Sequence, residues 1–565
     1  MKILLTTLHA KYAHASLALP SLAACCRELP GVELTIRELT INEPHEQQLR
    51  QLIAQQADLI GFSCYIWNIE RTLRLVSDIK KIAPETIIVL GGPEVSSSVF
   101  DLMQQQPAID YVVRGEGETV FTRLVSSLLM GGAEREQIGN LFFRDGDEII
   151  TGQMGHGECQ LDTLVSPFQA GLVNFDKPLT YYETSRGCPF SCAFCLSSVE
   201  GTVRSYSLER IKRDLALLME RATPQIKLVD RTFNYDSRRA DEIWSYILEH
   251  NRGSHFHFEI AADLLTDSNL ELLQQVPADC FRFEIGIQSS FEETLTQVNR
   301  TADLERIYAA IRRLRAETAV ELHLDLVAGL PGETYAMFLQ SLQTVAGLTP
   351  HQIQVEPLKL LKGTPMRGIA RQEQYAYSDF PPYMILQTPW LSYDEIGRIE
   401  TVGRLLDLFH NSGKFGATLR YLTTRIPLAT LLDRMANSAD LQKLHSLSTP
   451  RLFESFYQLA LPLVTLAERA DLADALCYDY CRTEMPRAGK LPSFMAPRQD
   501  QCAWPNRKEI SGQIKIPENC RVTLFRFPFR HDYRQDDGLG QPVELTMAYL
   551  AAPAGGLQVV VCPKN

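Results

Sequence analysis

Along the first 130 residues, short apolar runs alternate with stretches in which apolar positions recur at helical spacing. MKILLTT, VELTIREL, ADLIGFSC, TIIVLGG and IDYVVRGEGE read as strands. LALPSLAACCREL, QQLRQLIAQQ and NIERTLRLVSDIKKIAP between them read as helices. This alternation, with glycines at the strand ends, predicts a doubly wound sheet that takes ligands at the carboxyl ends of its strands. No G-x-G-x-x-G opens the first helix, which weakens a nicotinamide or flavin reading.

IGNLFFRDGDEIITG (138–152) predicts a β-hairpin turning at Asp145-Gly146, and LDTLVSPF (161–168) an extended connector. Six further strands follow: LTYYETSRG (179–187), QIKLVD (225–230), FHFEIAAD (256–263), FRFEIGIQ (281–288), VELHLDLVAGL (320–330) and HQIQVEPLKLL (351–361). Helical stretches separate them, the first capped by Ser207 with Ile211, Leu215 and Leu218 on its apolar face. Strands alternating with helices predict a parallel sheet of βα units. Beyond an aromatic and proline-rich passage (374–396) the pattern is helical to about residue 483, then strand-like in CRVTLFRFPFRHDY, VELTMAYL and LQVVVC. The FPP and TPW aromatics of that passage read mostly as core, and Arg521, Arg526, Arg530 and Arg534 as a solvated strand face. The expected boundaries are 1–135, a hairpin and linker at 136–177, a βα domain at 178–375 and a mainly helical α+β region at 376–565 with a terminal β segment.

Charge adds little: 56 Lys plus Arg against 68 Asp plus Glu gives −12, and nothing global favours a nucleic-acid partner. No run reaches the ~18 apolar residues of a membrane span, and the apolar run after Met1 is too short for a signal peptide, so a cytoplasmic chain is expected. Thirteen cysteines argue against a disulfide framework. Cys64, Cys159, Cys280, Cys502, Cys520 and Cys562 read as small buried hydrophobes, Cys25-Cys26 as helix core, and Cys477 with Cys481 as packing one turn apart.

One group differs. ETSRGCPFSCAFCL places Cys188, Cys192 and Cys195 in a C-x3-C-x2-C run beside Gly187 and Pro189. Structural zinc wants four ligands, and no fourth Cys or His follows within twenty residues. A 4Fe–4S cubane held by three thiolates leaves one iron open to bind a small molecule. Here the chain resembles the radical S-adenosylmethionine (radical SAM) superfamily. The resemblance implies a partial (β/α)6 barrel whose open iron chelates S-adenosylmethionine and cleaves it to a 5′-deoxyadenosyl radical. It also implies S-adenosylmethionine contacts from Phe194, from Asp230 at the second strand end, from Glu284, Gln288 and Ser289 at the fourth, from the turn Gly329–Glu333, and from Leu360 and Leu361. For each, a barrel-rim residue in a local hydrogen bond is the plain alternative.

The first domain resembles a Rossmann-like cobalamin-binding domain in three places. Ser63 follows a strand as in a Ser-x-Leu element, with Tyr65 in place of Leu; Gly91-Gly92 lies downstream; and Gly115-Glu116-Gly117-Glu118 ends the next strand. The Asp-x-His-x-x-Gly element after the first strand is absent, replaced by TLHAKYAHAS. His9, Tyr12 and His14 are candidates for the lower face of a corrinoid, against a loop-packing role. A scaffold that no longer holds a corrinoid is the alternative, since fold does not imply ligand.

Together these imply a cobalamin-dependent radical SAM enzyme, in a subgroup with an uncharacterised C-terminal domain. The leading reading is a methyltransferase that moves a methyl group from methylcobalamin to an unactivated carbon, with a flavodoxin or ferredoxin as reductant. The alternatives are a radical oxidation, cyclisation or rearrangement, with cobalamin as electron carrier or absent, and a non-catalytic corrinoid-binding protein. Methylthio transfer to RNA ranks below these, because the extra cysteine-bearing domain and RNA-binding domain it normally brings are not evident. No motif chooses between a small-molecule, peptide or lipid substrate.

Overall fold

The structure, a computed structural model, describes residues 1–152, 160–199, 202–444, 446–487, 491–495, 520–534, 541–551 and 557–562. Cys159 and Cys502 lie outside the described residues. The chain divides into two compact units. The first is Met1–His323, Gly329–Glu333 and Leu358–Ser392; the second is Leu324–Ala328, Thr334–Pro357 and Tyr393–Asn565.

The first unit opens with β1 (Lys2–His9), α1 (Ala18–Cys26), β2 (Glu33–Thr40), α2 (His45–Ile53), β3 (Leu59–Ser63), α3 (Ile69–Ile82), β4 (Ile87–Gly91), α4 (Val99–Gln105), β5 (Tyr111–Val113) and α5 (Glu118–Leu129). β6 (Leu141–Asp145) and β7 (Glu148–Thr151) add the hairpin to the same sheet, in the order β2-β1-β3-β4-β5-β6-β7. The hairpin is therefore part of the first domain, not of a separate linker. β1 to β5 pair in parallel, β6 and β7 antiparallel. Both faces are apolar, as a doubly covered parallel sheet requires. Leu4, Ile60, Phe62, Ile88 and Leu90 pack under α2, α3 and α4, while Ile3, Leu5, Leu59 and Val89 pack under α1 and α5. The order reverses between β1 and β3, which makes their carboxyl ends the place for a ligand.

Next come β8 (Leu179–Tyr182), β9 (Ser185–Arg186) and β10 (Arg204–Ser205). The larger strands β8, β11 (Gln225–Leu228), β12 (His255–Ile260), β13 (Phe281–Gln288), β14 (Glu321–Ala328) and β15 (Gln352–Pro357) form an open sheet in sequence order. β8 and β15 are its two edges and no closed barrel forms. β8, β11, β12 and β13 pair in parallel. Helices alternate with the strands and start where side chains cap them: Ser207 accepts from the Arg210 amide (3.3 Å) and Asp236 from that of Arg239 (3.0 Å). Strict alternation sends Phe256, Phe258, Phe281 and Phe283 outward, where the Trp244 ring lies 5.4 Å from that of Phe283. The opposite face carries His257, Glu259, Arg282 and Glu284. The expected boundary at 375 falls inside the first unit. Ile385 donates to Leu358 O (3.1 Å) and Leu360 to Tyr383 O (2.9 Å), which ties 376–392 back to the end of the sheet.

The second unit is mainly helical, with helices Tyr393–Leu405, Gly416–Thr423, Leu428–Ala436, Thr449–Ala460 and Arg469–Thr483. Strands Arg521–Phe529, Val543–Ala551 and Leu557–Cys562 make an antiparallel sheet, joined to the last helix through Tyr549 Oη, which donates to Cys481 O (2.8 Å). Cys477 and Cys481 are fully buried on that helix. Among the described residues, no helix is long and apolar enough to cross a membrane.

Candidate active site

β9 and β10 bracket the cysteine loop, pairing Arg186 with Arg204. At its mouth Gly187 adopts φ +88°, and a Cβ there would lie 2.6 Å from Thr202 O, so only glycine closes the loop. The Ala193 amide donates to Val298 O (2.8 Å), the Met366 amide to Ala193 O (2.9 Å), and Asn299 to Ser191 Oγ (2.6 Å). Phe194, half-buried, sits in this pinned stretch. Cys188 Sγ is 3.4 Å from Thr232 Oγ1, and Arg300 Nη1 is 3.6 Å from Cys192 Sγ. Three thiolates on one short loop suit a cubane that keeps one iron open.

The strand ends are less uniform than their sequence suggests. Asp230 is fully buried and accepts from the Thr184 amide (3.1 Å), from Thr184 Oγ1 and from Ser185 Oγ (2.5 Å). Its carboxylate locks the exit of β8 and stands just beyond β11, where the contact to the S-adenosylmethionine amino group is expected. Glu284 lies in the middle of β13 and not at its end as expected, with Lys227 Nζ at 2.9 Å and His257 Nε2 at 2.8 Å. Burial opposes its ionisation, but the His257 ring and the Lys227 ammonium outweigh it and hold the carboxyl well below the usual range.

Gln288 does end β13, at φ +71°, and its amide folds over Gly286, where a Cβ would lie 2.2 Å from Gln288 Nε2. Its Oε1 is buried without a hydrogen-bond partner among the described residues, an acceptor available to a ligand donor. Ser289 donates to Glu333 Oε1 (2.9 Å), and burial pushes the Glu333 carboxyl up to about 8. Gly329 (φ +90°) meets Ile385 Cδ1, 2.1 Å from a notional Cβ. Packing against Ile385 and the left-handed backbone both favour glycine at this position. Leu360 is buried and Leu361 half-buried just beyond β15.

The Gly115–Glu118 segment has two roles. Its carboxylates face the cysteine loop: Arg186 Nη1 is 3.1 Å from Glu116 Oε2, its Nη2 2.6 Å from Glu118 Oε1 and its Nε 3.0 Å from Glu183 Oε2, while Arg204 pairs with Glu116. Glu116 and Glu118, expected to touch a corrinoid, thus clamp the first domain to the loop, and both also stand in the lining of the cavity next to it. Burial opposes the charge on Glu118, yet Arg186 wins and lowers its pKa; burial of Glu183 prevails and raises its own to about 7. The backbone of Gly115 and Gly117 lines a cavity of about 1080 Å³.

Ser63, Tyr65, Gly91 and Gly92 line the same cavity, as do Glu183, Ser185, Arg186 and Gly187 from the chain leading to Cys188. A Cβ on Gly91 would meet nothing closer than 3.7 Å and one on Gly115 nothing within 4 Å, so bare backbone forms this wall. A large cavity at the strands' carboxyl ends, walled by glycine, fits a corrinoid with its nucleotide tail. Tyr12 and His14 do not line it. The Tyr12 ring is 73% exposed and capped by Lys177 Nζ at 3.5 Å; His14 Nδ1 lies 2.6 Å from Tyr181 Oη. His9 Nε2 stands 3.4 Å from Glu38 Oε1. Tyr65, stacked on Trp67 at 4.5 Å, lines the cavity instead, as do Phe62 and Phe121.

Sequence reasoning missed Arg186, Arg204, Lys227 and His257. The basic residue two places before the first cysteine and the period-2 alternation of HFHFEI were the available signals.

Comparison with known proteins agrees with this geometry. Residues 3–125 match the B12 binding domain, 182–345 the radical SAM superfamily, and 372–524 a protein family of unknown function, DUF4080. The cobalamin-dependent radical SAM methyltransferase TokK of Streptomyces tokunonensis is 24% identical over 368 residues, covering 61% of this chain and 53% of that protein. The chain spans about half the length of these curated relatives. The structure of the methyltransferase TsrM from Kitasatospora setae, with cobalamin and a [4Fe-4S] cluster bound, aligns with TM-score 0.57 at 15% identity, over 85% of this chain and 98% of that one. The cobalamin-dependent radical enzyme OxsB, with aqua-cobalamin and S-adenosylmethionine bound, aligns with TM-score 0.57 at 16% identity, over 85% and 83%. These two likenesses show a shared fold.

Proposed function

We propose that this chain, homologous to cobalamin-dependent radical SAM methyltransferases and built from a B12-binding domain followed by a radical SAM domain, is itself a methyltransferase acting on an unactivated carbon. One observation carries the reading: a single cavity is walled on one side by the glycine-rich ends of β3, β4 and β5 and on the other by Glu183–Gly187, which run directly into Cys188. When bound, the 4Fe–4S cluster, S-adenosylmethionine and cobalamin supply radical generation and methyl carriage.

The chain's own residues bind and orient. Cys188, Cys192 and Cys195 would hold the cluster as thiolates, and Arg300 offsets their negative charge. Phe194, Gln288 and Ser289 would hold S-adenosylmethionine, the Gln288 Oε1 acceptor meeting a donor of the ligand. Ser63, Tyr65, Gly91, Gly92, Gly115 and Gly117 would cradle cobalamin. The Arg186 clamp fixes the distance between the two sites and keeps water from the loop between them, the positioning on which such chemistry depends. A cytoplasmic location and a flavodoxin- or ferredoxin-type reductant go with this reading.

The test is reaction with S-adenosylmethionine deuterated in its methyl group, together with a reductant and candidate metabolites. A product heavier by one labelled methyl, with 5′-deoxyadenosine formed alongside it, supports methyl transfer. Formation of 5′-deoxyadenosine with an unlabelled, oxidised or cyclised product overturns it in favour of a non-methylating radical reaction.

A further inference from the structure

The inner face of the larger sheet carries a second cluster of chemically able side chains, outside the cysteine loop and the glycine-walled cavity. On β12 and β13 the aromatic side chains turn toward the helices, which leaves the alternate positions for the lumen. Barrel interiors are ordinarily filled by branched aliphatic side chains. Here three neighbouring strands instead contribute His257, Glu284 and His323. Their ligand atoms, two imidazole nitrogens and one carboxylate oxygen, all lie within 4.8 Å of one another. Placing such groups on adjacent strands away from bulk water costs desolvation that an aliphatic lumen avoids.

The local geometry also points to a shared ligand. His257 Nε2 is 2.8 Å from Glu284 Oε2, so the imidazole and the carboxylate pair directly. Two donor atoms this close are spaced as neighbours around one small cation would be. Lys227 Nζ contacts Glu284 at 2.9 Å and also reaches Glu259 at 3.6 Å. A cation taken up at Glu284 therefore leaves the ammonium a carboxylate partner.

We propose that His257, Glu284 and His323 form a two-histidine, one-carboxylate site for a divalent transition-metal ion in the sheet's lumen. Imidazole and carboxylate donors suit Zn2+, Fe2+ and Mn2+, and three protein ligands leave positions open for an oxygen or nitrogen of another molecule. The metal-binding class of the site does not depend on which radical reaction the chain performs.

The experiment is Mn2+ binding to the anaerobically reconstituted holoenzyme, followed by electron paramagnetic resonance. The cluster is kept oxidised and the cobalamin in the cob(III) state, so that Mn2+ is the paramagnetic species. The wild-type protein takes up one Mn2+ per chain. His257→Ala and His323→Ala weaken that binding at least tenfold with cluster and corrinoid loads unchanged, and His250→Ala, at an exposed helix end, binds as wild type. Nitrogen hyperfine couplings on the wild-type Mn2+ signal report imidazole ligands without any substitution. Absence of stoichiometric uptake, uptake without nitrogen coupling, or unchanged binding in both histidine variants overturns the site.

Discussion

Arg186 Nη2 lies 2.6 Å from Glu118 Oε1, which ties the residue two places before the first cluster cysteine to the first residue of α5. The same guanidinium reaches Glu116 and Glu183, so one side chain joins the wall of the large cavity to the cysteine loop. Arg186 and Glu118 are both largely buried. Removing one partner from such a pair leaves an uncompensated charge, at a cost of about 3–5 kcal/mol. Arg186→Ala is therefore expected to lower unfolding stability by that order and to reduce corrinoid and iron retention together. Denaturant unfolding and metal analysis of the same preparations check it. A double-mutant cycle with Glu118→Gln should show strong coupling between the two sites.

Two glycines in the cavity wall should behave differently. At Gly92 (φ +105°) a Cβ would stand 2.6 Å from Cys64 O, so Gly92→Ala forces β3 and β4 apart at their ends and loses both stability and corrinoid binding. At Gly115 (φ +73°) nothing stands within 4 Å. Gly115→Ala pays only the left-handed backbone penalty of about 1–2 kcal/mol but puts a methyl group in the cavity. It should lose corrinoid affinity with a small change in melting temperature, a contrast that equilibrium binding and calorimetry resolve.

Glu333 predicts a pH dependence. Burial raises its carboxyl to about 8 from the ordinary value of 4.5, so folding favours the protonated form. That contribution is fully present below pH 4.5 and is lost as the pH rises through about 8. Glu333→Gln, which imitates the protonated acid and keeps an acceptor for Ser289, should match wild type near pH 5 and exceed it in stability near pH 8.5. Urea unfolding across that range measures the difference; equal slopes for the two proteins contradict it.

Single substitution of Cys188, Cys192 or Cys195 by Ala should abolish the iron and sulfide content, because three thiolates are the minimum that holds a cubane with one open iron. Cys477→Ala, in the packed interior of the last helix, should leave the iron content intact and cost stability alone. Colorimetric iron and sulfide assays on anaerobically reconstituted protein separate the two effects.

Both sheets were legible because each strand carries its burial pattern locally: continuous apolar runs for β1, β3 and β4, buried on both faces, and alternation for β12 and β13. The cysteine loop was legible from spacing alone. What was not legible was the set of local partners of side chains near strand ends. Glu284 and Gln288 lie four residues apart on one face of β13, and no local signal says which of them reaches the rim. The role of Asp230 is set by Thr184 and Ser185, which sit 46 and 45 residues earlier in the chain. The pairing of Glu116 and Glu118 with Arg186 and Arg204 was hidden because these partners are remote in sequence and close only after folding. The lumen cluster was hidden for the same reason, since it draws one residue from each of three strands.

The measurement that tests the central claim most directly is the joint cofactor load of anaerobically reconstituted protein, read as visible spectrum, iron, sulfide and cobalt on one sample. The account predicts one cobalamin beside one 4Fe–4S cluster per chain, and reductive cleavage of added S-adenosylmethionine. A full cluster with no bound corrinoid, even with cobalamin in excess, would contradict it and leave the glycine-walled cavity without the ligand assigned to it.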